Sequence, residues 1–180
     1  MSPDPPAGEH IEILFDAREI AARTREIARE IAEAGFSDLL VVPILKGSFV
    51  FGADLLRALH GAGMALEVDF IFLSSYRDKT RSSGSVEVLR DIEVDVSGRD
   101  VLLVDDILES GRTLAFARDL IGARGANRVI TCVLLDKPGK RATDIGADFR
   151  GFECPDAFVI GYGMDLSHRF RELPYVGRIV

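Results

Sequence analysis

The chain has 180 residues, of which 47% are hydrophobic, with a formal net charge of −7 and a mean hydropathy of +0.15. These values fit one compact domain with a sizeable core and exclude a disordered chain. The acidic balance argues against a sequence-independent grip on nucleic acid, which needs clustered Lys and Arg, but allows a small anionic substrate in a local cationic pocket.

The apolar runs are short and the cysteines are few. Residues 39–45 fall far below the roughly 20 residues of a membrane-spanning helix, and the N-terminus lacks a basic-then-apolar signal pattern. We therefore expect a cytoplasmic protein with no membrane partner. Cys132 and Cys154 are too far apart for a CxxC motif and too few for a disulfide framework or a zinc site, so both are interpreted as core residues.

Strands and helices alternate along most of the chain. Residues 1–9 are rich in proline and are predicted to form a flexible tail; Asp16 and Glu19 then form a capping-box pattern for a helix that Gly35 ends. The later predictions, in chain order, are a buried strand over 38–45 (DLLVVPIL), a turn over 46–48, a helix over 49–60, a strand through Val68, Phe70 and Phe72, a strand over 86–89 (VEVL), a turn over 95–100, a buried strand over 101–105 (VLLVD), a helix over 113–121 and a buried strand over 128–136 (RVITCVLLD).

This alternation predicts an α/β fold with a mostly parallel central sheet flanked by helices. Residues 149–180 contain only short apolar segments, which predict strands and loops that form a small C-terminal hood. No segment has the composition of a linker, so residues 10–180 are predicted to form a single domain.

One connection is unusually long. Residues 74–85 (SSYRDKTRSSGS) form a polar run without an apolar period, and loops of this length inside small domains are commonly lids or insertions. Tyr76 has no core to join there unless the loop closes.

Three further loops carry charged residues and leave the carboxyl ends of predicted strands. They span residues 46–48, 105–113 and 136–141. Because ligands bind at the carboxyl ends of strands in open parallel sheets, we expect these loops to share one site.

The segment over residues 101–114, VLLVDDILESGRTL, is suited to a phosphorylated sugar. Backbone N–H groups at a helix start favour an anion, and the Ser110 and Thr113 hydroxyls can add donors while Gly111 permits close approach. Asp105 and Asp106 can accept hydrogen bonds from ribose hydroxyls or help to hold hydrated magnesium. Helix capping is the simpler explanation for an isolated Asp pair, but the whole pattern argues against it. The chain contains neither GxxxxGK[ST] nor GxGxxG, so neither a P-loop nor a dinucleotide fold is indicated.

VLLVDDILESGRTL resembles the phosphoribosyl pyrophosphate signature of the type I phosphoribosyltransferases, and other segments resemble the hypoxanthine-guanine branch of that family. The similarity runs from about Ile11 to Val180. It is carried by ILKGSFVFGADLL, VDFIFLSSY, LLDK and PDAFVIGYGMDLSHRFRELPYVG. The resemblance implies the type I phosphoribosyltransferase fold, a Mg²⁺-dependent reaction and a homodimer or homotetramer. It also implies a purine salvage reaction that transfers phosphoribosyl from phosphoribosyl pyrophosphate (PRPP) to hypoxanthine or guanine, giving IMP or GMP and pyrophosphate.

The resemblance also implies a role for individual residues. These are Lys46 and Gly47 in a pyrophosphate loop, whose peptide is often cis in the family; Ser75 and Tyr76 at the start of the lid; Asp105 and Asp106 facing the ribose hydroxyls and magnesium; Glu109, Ser110, Gly111, Arg112 and Thr113 around the 5-phosphate; Lys137 donating to purine O6; Phe158 stacking on the base; the Val159 carbonyl at the base edge; Asp165 binding magnesium; and Arg171 meeting pyrophosphate.

The chain departs from the family pattern at two positions. The family most often has Glu-Asp at the Asp105–Asp106 position and Asp at the position of Glu109, which corresponds to the residue proposed as the general base at purine N7. Glu109 keeps the carboxylate but adds a methylene, so its reach differs.

Some of these residues also have simpler interpretations. Lys137 could be a solvated loop lysine, Phe158 and Val159 ordinary core, and Asp165 with Arg171 a surface pair. Two alternative functions stay open at this point. One is a xanthine-preferring transferase, and the other is an RNA-binding regulator on the same fold, similar to the pyrimidine-operon attenuation proteins.

Overall fold

The architecture is a layered α/β structure with a second, smaller sheet. The structure is a computed structural model that describes residues 10–75 and 86–180. Within those residues the elements are β1 (Ile11–Phe15), α1 (Ala17–Glu33), β2 (Leu39–Leu45), α2 (Phe49–Gly61), β3 (Glu67–Val68), β4 (Ile71–Ser75), β5 (Val86–Arg90), β6 (Asp100–Leu108), α3 (Arg112–Ala123), β7 (Arg128–Asp136), β8 (Phe149–Glu153), β9 (Val159–Ile160) and β10 (Val176–Ile179).

The central sheet has the strand order β5-β4-β2-β6-β7-β8, with β3 paired to β2. All neighbouring pairs are parallel except β4 with β5, which is antiparallel. This confirms the predicted mostly parallel sheet. Because β2, β4, β6 and β7 run in the same direction, the loops that follow them leave the same edge of the sheet.

The core lies on both faces of this sheet because apolar side chains alternate along its buried strands. In β6, Leu102 and Val104 pack with α1 and α2, whereas Val101 and Leu103 pack with α3 on the other face. Buried strands with apolar residues on both faces are typical of a parallel sheet covered by helices. None of the helices in residues 10–75 and 86–180 is long and apolar enough to cross a membrane.

Helix α1 begins as the sequence predicts. Asp16 accepts hydrogen bonds from the backbone N–H groups of Arg18 and Glu19 at 2.7 and 2.9 Å, and Glu19 accepts one from the Asp16 N–H at 2.8 Å. This reciprocal capping box satisfies donors that the first helical turn would otherwise leave unpaired.

The hood differs from its predicted boundaries. It is a three-stranded antiparallel sheet in the order β1-β10-β9, so the N-terminal strand Ile11–Phe15 belongs to it. Conversely, Phe149–Glu153 is the parallel edge strand of the central sheet, although residues 149–180 were predicted to be hood throughout. The first error arises because β1 pairs with a strand at the other end of the chain, and the second because the pairing of β8 with β7 leaves no signal in the sequence of β8 itself.

The predicted strand through Val68, Phe70 and Phe72 is two short strands, β3 and β4. Asp69 lies between them, and its carboxylate accepts hydrogen bonds from the N–H groups of Phe70, Glu93 and Val94 at 2.7, 2.6 and 3.0 Å. These side-chain bonds, two of them to residues distant in sequence, mark a break between the two strands, so the alternation of apolar residues does not correspond to one continuous strand.

Asp100 was predicted in a turn but is the fully buried first residue of β6. It accepts hydrogen bonds from the Ser37 N–H, the Asn127 amide and the Arg128 guanidinium. The Arg128 guanidinium holds the pKa of the Asp100 carboxyl well below its usual range, so the carboxylate is charged and paired inside the protein.

Strand β6 also ends later than predicted. It continues to Leu108, because Ile107 and Leu108 pair with Leu135 and Asp136 of β7. Asp105, predicted as the last residue of the strand, and Asp106, predicted to follow it, therefore both lie within it. Helix α3 begins one residue before the predicted Thr113.

Candidate active site

Two adjoining clefts lie at the carboxyl edge of the central sheet. The first, of about 370 Å³, is formed by the ends of β2 and β6 and by the turn that leads into α3. The second, of about 870 Å³, lies between that turn, the exit of β7 and the hood. Five residues line both clefts, and these are Lys46, Gly47, Asp106, Ile107 and Glu109.

The turn between β6 and α3 lines the first cleft with backbone and small side chains. Gly111 is the N-cap of α3 and has a φ of 79°, a left-handed conformation that favours glycine. A Cβ added there would lie 2.5 Å from the Thr143 hydroxyl and from an Ile145 methyl carbon. The Ser110 hydroxyl accepts a hydrogen bond from the Arg112 N–H at 3.4 Å. The positive end of the α3 dipole thus faces a narrow space that suits an anion.

Asp105 and Asp106 are two adjacent carboxylates at the floor of this cleft. Asp105 is only 8% exposed, and its side chain accepts a hydrogen bond from the Asp106 N–H at 3.0 Å. Burial, together with repulsion from Asp106, raises the pKa of Asp105 well above its usual range, and burial also raises the pKa of Asp106. Donors or a cation brought by a ligand would relieve this cost.

The loop after β2 packs directly against β6. A Cβ on Gly47 would overlap the Asp106 carboxylate, and a Cβ on Gly163 of the hood would overlap the Gly47 carbonyl. The Leu45–Lys46 peptide is cis, and the Lys46 ammonium lies 5.4 Å from the centre of the Phe72 ring. The loop therefore lies close to both the β6 carboxylates and the hood.

Lys137 and Glu109 form an ion pair in the lining of the second cleft. The Lys137 ammonium lies 3.4 Å from Glu109 Oε1 and donates to the Ala157 carbonyl at 2.6 Å, and its side chain is 7% exposed. This burial contradicts the interpretation of Lys137 as a solvated loop lysine. Lys140 lies 3.8 Å from the same Glu109 oxygen and pairs with Asp156 at 2.5 Å. The Glu109 carboxylate is therefore held between two cations.

The hood supplies an exposed ring and a buried strand to the second cleft. Phe158 lines the cleft and is 60% exposed, which contradicts its interpretation as ordinary core, whereas Val159 is buried at the start of β9. An exposed aromatic ring beside a buried cation offers a face on which a planar ligand can stack.

Asp165 and Arg171 form an ion pair that lines the second cleft rather than a pair on the open surface. Asp165 Oδ1 lies 2.7 Å from the Arg171 guanidinium, and Asp165 Oδ2 accepts a hydrogen bond from the His168 N–H at 2.7 Å. Arg171 also donates to the Gly163 carbonyl at 2.5 Å, beside the loop that carries Gly47. Within residues 10–75 and 86–180, no three His, Cys, Asp or Glu side chains are grouped so that they could hold a metal ion by themselves.

Most residues predicted for the site are thus brought together at one edge of the sheet. Ser75 is the last residue of β4, which runs parallel to β2, so it ends at that same edge. Tyr76, the other predicted lid residue, lies outside the described residues.

Sequence reasoning missed several residues that the structure places in or behind the site. Lys140, Met164 and His168 line the second cleft. Arg141 lies behind both loops and donates hydrogen bonds to their backbone carbonyls. The charge of residues 136–141 indicated the region, but no spacing in the sequence distinguishes Arg141 from its neighbours.

The fold and the two clefts belong to a known class of enzymes. The model of the phosphoribosyl transferase domain family matches residues 10–167, and the chain belongs to this family.

Several relatives of the chain are named as hypoxanthine or hypoxanthine-guanine phosphoribosyltransferases. The chain is 42% identical over 173 residues to the hypoxanthine phosphoribosyltransferase of Salmonella typhimurium, covering 94% of this chain and 96% of that protein. It is 42% identical over 168 residues to the hypoxanthine-guanine phosphoribosyltransferase of Bacillus subtilis, covering 92% and 91%. A solved hypoxanthine phosphoribosyl transferase of Trypanosoma cruzi superposes with a TM-score of 0.90 at 35% identity, covering 99% of this chain and 95% of that one.

Proposed function

We propose that the protein transfers the 5-phosphoribosyl group from PRPP to hypoxanthine or guanine, giving IMP or GMP and pyrophosphate in purine salvage. One observation carries the proposal. A turn suited to a sugar phosphate and a cleft with a buried ammonium and an exposed ring adjoin each other, and Glu109 lines both. The names of the relatives support the same substrates.

The first cleft is proposed to bind the phosphoribosyl group. The backbone of residues 109–113 and the hydroxyls of Ser110 and Thr113 surround a space at the amino end of α3, where they would hold the 5-phosphate. Asp105 and Asp106 would accept hydrogen bonds from the ribose hydroxyls. Such donors would offset the cost of holding two buried carboxylates side by side.

The second cleft is proposed to bind the purine. Lys137 would donate to O6, Phe158 would stack on the ring, and the Val159 carbonyl would accept from the base edge. A 6-amino group in the place of O6 would put a donor against a donor. This arrangement leaves both groups unpaired and disfavours adenine.

Glu109 is proposed to act as general base. As purine N9 attacks ribose C1 and the bond from C1 to pyrophosphate breaks, the Glu109 carboxylate would take the proton from N7. Glu109 is 29% exposed and lies beside Lys137 and Lys140, which keep a carboxylate oriented toward the second cleft.

The loop after β2 and the hood are proposed to bind pyrophosphate. The backbone of Lys46 and Gly47 and the guanidinium of Arg171 line the second cleft at the side next to Asp106, and their donors would stabilise charge that develops on the leaving group.

Magnesium fits the same side of the cleft. Mg²⁺ usually binds through one or two carboxylates together with substrate phosphates and water. Asp165 in the second cleft, and Asp105 with Asp106 on β6, would supply the carboxylates, and phosphate oxygens of the substrate would complete the coordination. When bound, the ion neutralises charge on pyrophosphate.

The same proposal extends to assembly and location. A homodimer or homotetramer follows from the family resemblance, and sedimentation velocity would measure it. We propose that the protein is cytoplasmic, which agrees with Cys132 and Cys154 being free and buried. The net charge of −7 continues to weigh against the RNA-binding alternative.

Steady-state release of pyrophosphate tests the proposal. Purified protein should release pyrophosphate only when PRPP, magnesium and an oxopurine are all present. Excess chelator should abolish the release, because three carboxylates of the site face a multiply anionic substrate whose charge magnesium would neutralise. Full turnover in chelator would contradict the magnesium proposal. Absence of turnover with every base would contradict the proposed function.

A further inference from the structure

Arg141 joins the two loops that carry the proposed chemistry. Its Nη1 lies within hydrogen-bonding distance of the carbonyl oxygens of Leu108, Glu109 and Lys137, at 2.7, 2.8 and 3.0 Å. Its Nε donates to the Ile145 carbonyl at 3.2 Å, and its Nη2 pairs with the carboxylate of Asp136. A single guanidinium thus contacts the end of β6, the start of the phosphate turn and the exit of β7.

The surroundings of Arg141 are mostly buried and packed on the phosphate turn. Asp136 is 7% exposed, so its side chain has little contact with water and is satisfied by Arg141 and Arg150 instead. The segment that follows Arg141 packs on the same turn, where the Ala142 N–H donates to the Ser110 carbonyl at 2.9 Å. Residues 141–145 therefore form the back wall of the phosphate turn.

Few side chains could replace Arg141. Several carbonyl oxygens and one carboxylate converge on a single point, and a guanidinium offers five N–H donors in a fixed plane. A lysine would keep the charge opposite Asp136 but has three donors on a single nitrogen, so it cannot reach carbonyls on both sides of Arg141 at once.

The position of Glu109 relative to Lys137 follows from these contacts. Arg141 holds the backbone carbonyls of both residues, and their side chains meet at 3.4 Å. We infer that Arg141 is a positioning residue, which fixes the Glu109 carboxylate and the Lys137 ammonium side by side in the purine cleft for the transfer step. This inference rests on the roles proposed above for Glu109 and Lys137.

Arg141→Lys provides the main test, with Arg150→Lys as the matched control. Arg150 lies 3.3 Å from the same Asp136 carboxylate, but its side chain is 57% exposed. We expect Arg141→Lys to lower kcat about tenfold or more, since a displacement of about 1 Å in an active site can cost 10²-fold. The KM values for PRPP and hypoxanthine should change much less than kcat. Arg150→Lys should stay within about twofold of wild type, because exposed ion pairs contribute little.

Guanidinium rescue provides the second measurement, because a purely structural loss would not respond to it. Millimolar guanidinium chloride should restore part of the kcat of Arg141→Ala, whereas equal sodium chloride should not. All variants are assayed below their midpoints of thermal unfolding. A folded Arg141→Lys with the kcat of wild type, or a loss that follows only the fraction of folded protein, would overturn the inference.

Two further variants in the same assay separate this inference from the proposed function. If Glu109→Gln and Lys137→Gln both keep wild-type rates, the roles proposed for Glu109 and Lys137 are wrong, and the inference about Arg141 is wrong with them. Should both lose activity while folded Arg141→Lys does not, the inference alone is wrong.

Discussion

At the scale of single residues, Glu109 is the position where the chain departs from its family and where its role can be tested. Its carboxylate lies between Lys137 and Lys140 at the junction of the two clefts. This geometry fits either a base for the purine or a group that shapes the phosphate turn.

Two substitutions of Glu109 distinguish these roles. Glu109→Gln keeps the size but removes the basicity, so we expect the single-turnover rate to fall roughly 10²-fold or more if Glu109 takes the N7 proton. Glu109→Asp restores the usual group of the family and should retain much more activity. A chemical step in Glu109→Gln that is close to wild type would rule out the general base. If both variants changed only the affinity for PRPP, Glu109 would have a role in shaping the turn.

At the scale of elements, the site depends on the close contact between the loop after β2 and strand β6. Gly47 has space for a hydrogen but not for a methyl group, since a Cβ would overlap the Asp106 carboxylate. The Asp106 carboxylate is also held in place by a hydrogen bond that it accepts from the Ile107 N–H at 2.9 Å.

Gly47→Ala should therefore weaken PRPP binding. We expect the KM for PRPP to rise about tenfold or more, because the loop or Asp106 must shift within the cleft. Gly61→Ala at the end of α2 is the control, since a Cβ there meets nothing within 4 Å. Steady-state kinetics with varied PRPP measures both, and equal KM values in the two variants would show that this contact does not shape the site.

The elements also show what sequence could predict. Buried strands such as β2, β6 and β7 are recognisable because each contains a run of mostly apolar residues. The meeting of the three charged loops at one site was predictable from the alternation of strands and helices, because parallel strands bring their carboxyl ends to the same edge of the sheet. The pairing of β1 with β10 and the break at Asp69 were missed because each depends on partners far away in the chain. Arg141 was missed for a different reason, since its partners are mostly backbone carbonyls, which no sequence pattern reveals.

At the scale of the whole molecule, the site is held at a cost in stability. The pKa of Asp105 is raised by burial and by repulsion from Asp106. A carboxyl whose pKa is higher in the folded than in the unfolded state destabilises the protein once it ionises. The penalty is absent below the unfolded pKa, near 4, and complete above the raised folded pKa.

Asp105→Asn should therefore stabilise the unliganded protein at neutral pH by about 1 kcal/mol, a usual size for stabilising substitutions, while lowering activity. The gain should shrink as the pH falls and vanish below about pH 4. Urea unfolding at several pH values measures it. Asp119→Asn on α3, at a position that is 76% exposed, is the control and should change the free energy of unfolding little at any pH. A less stable Asp105→Asn at neutral pH would contradict the account.

The central claim is that the second cleft selects an oxopurine for the phosphoribosyl group, and Lys137 is the residue assigned to that choice. The direct measurement is the set of nucleotides formed when hypoxanthine, guanine, xanthine and adenine compete at equal concentration for PRPP. Wild-type protein should form IMP or GMP and leave adenine unused, and Lys137→Gln should shift the product ratio toward AMP, because an amide can present an acceptor to the 6-amino group. Equal use of adenine by the wild type, or an unchanged ratio of IMP to AMP in Lys137→Gln, would contradict the claim that Lys137 selects an oxopurine.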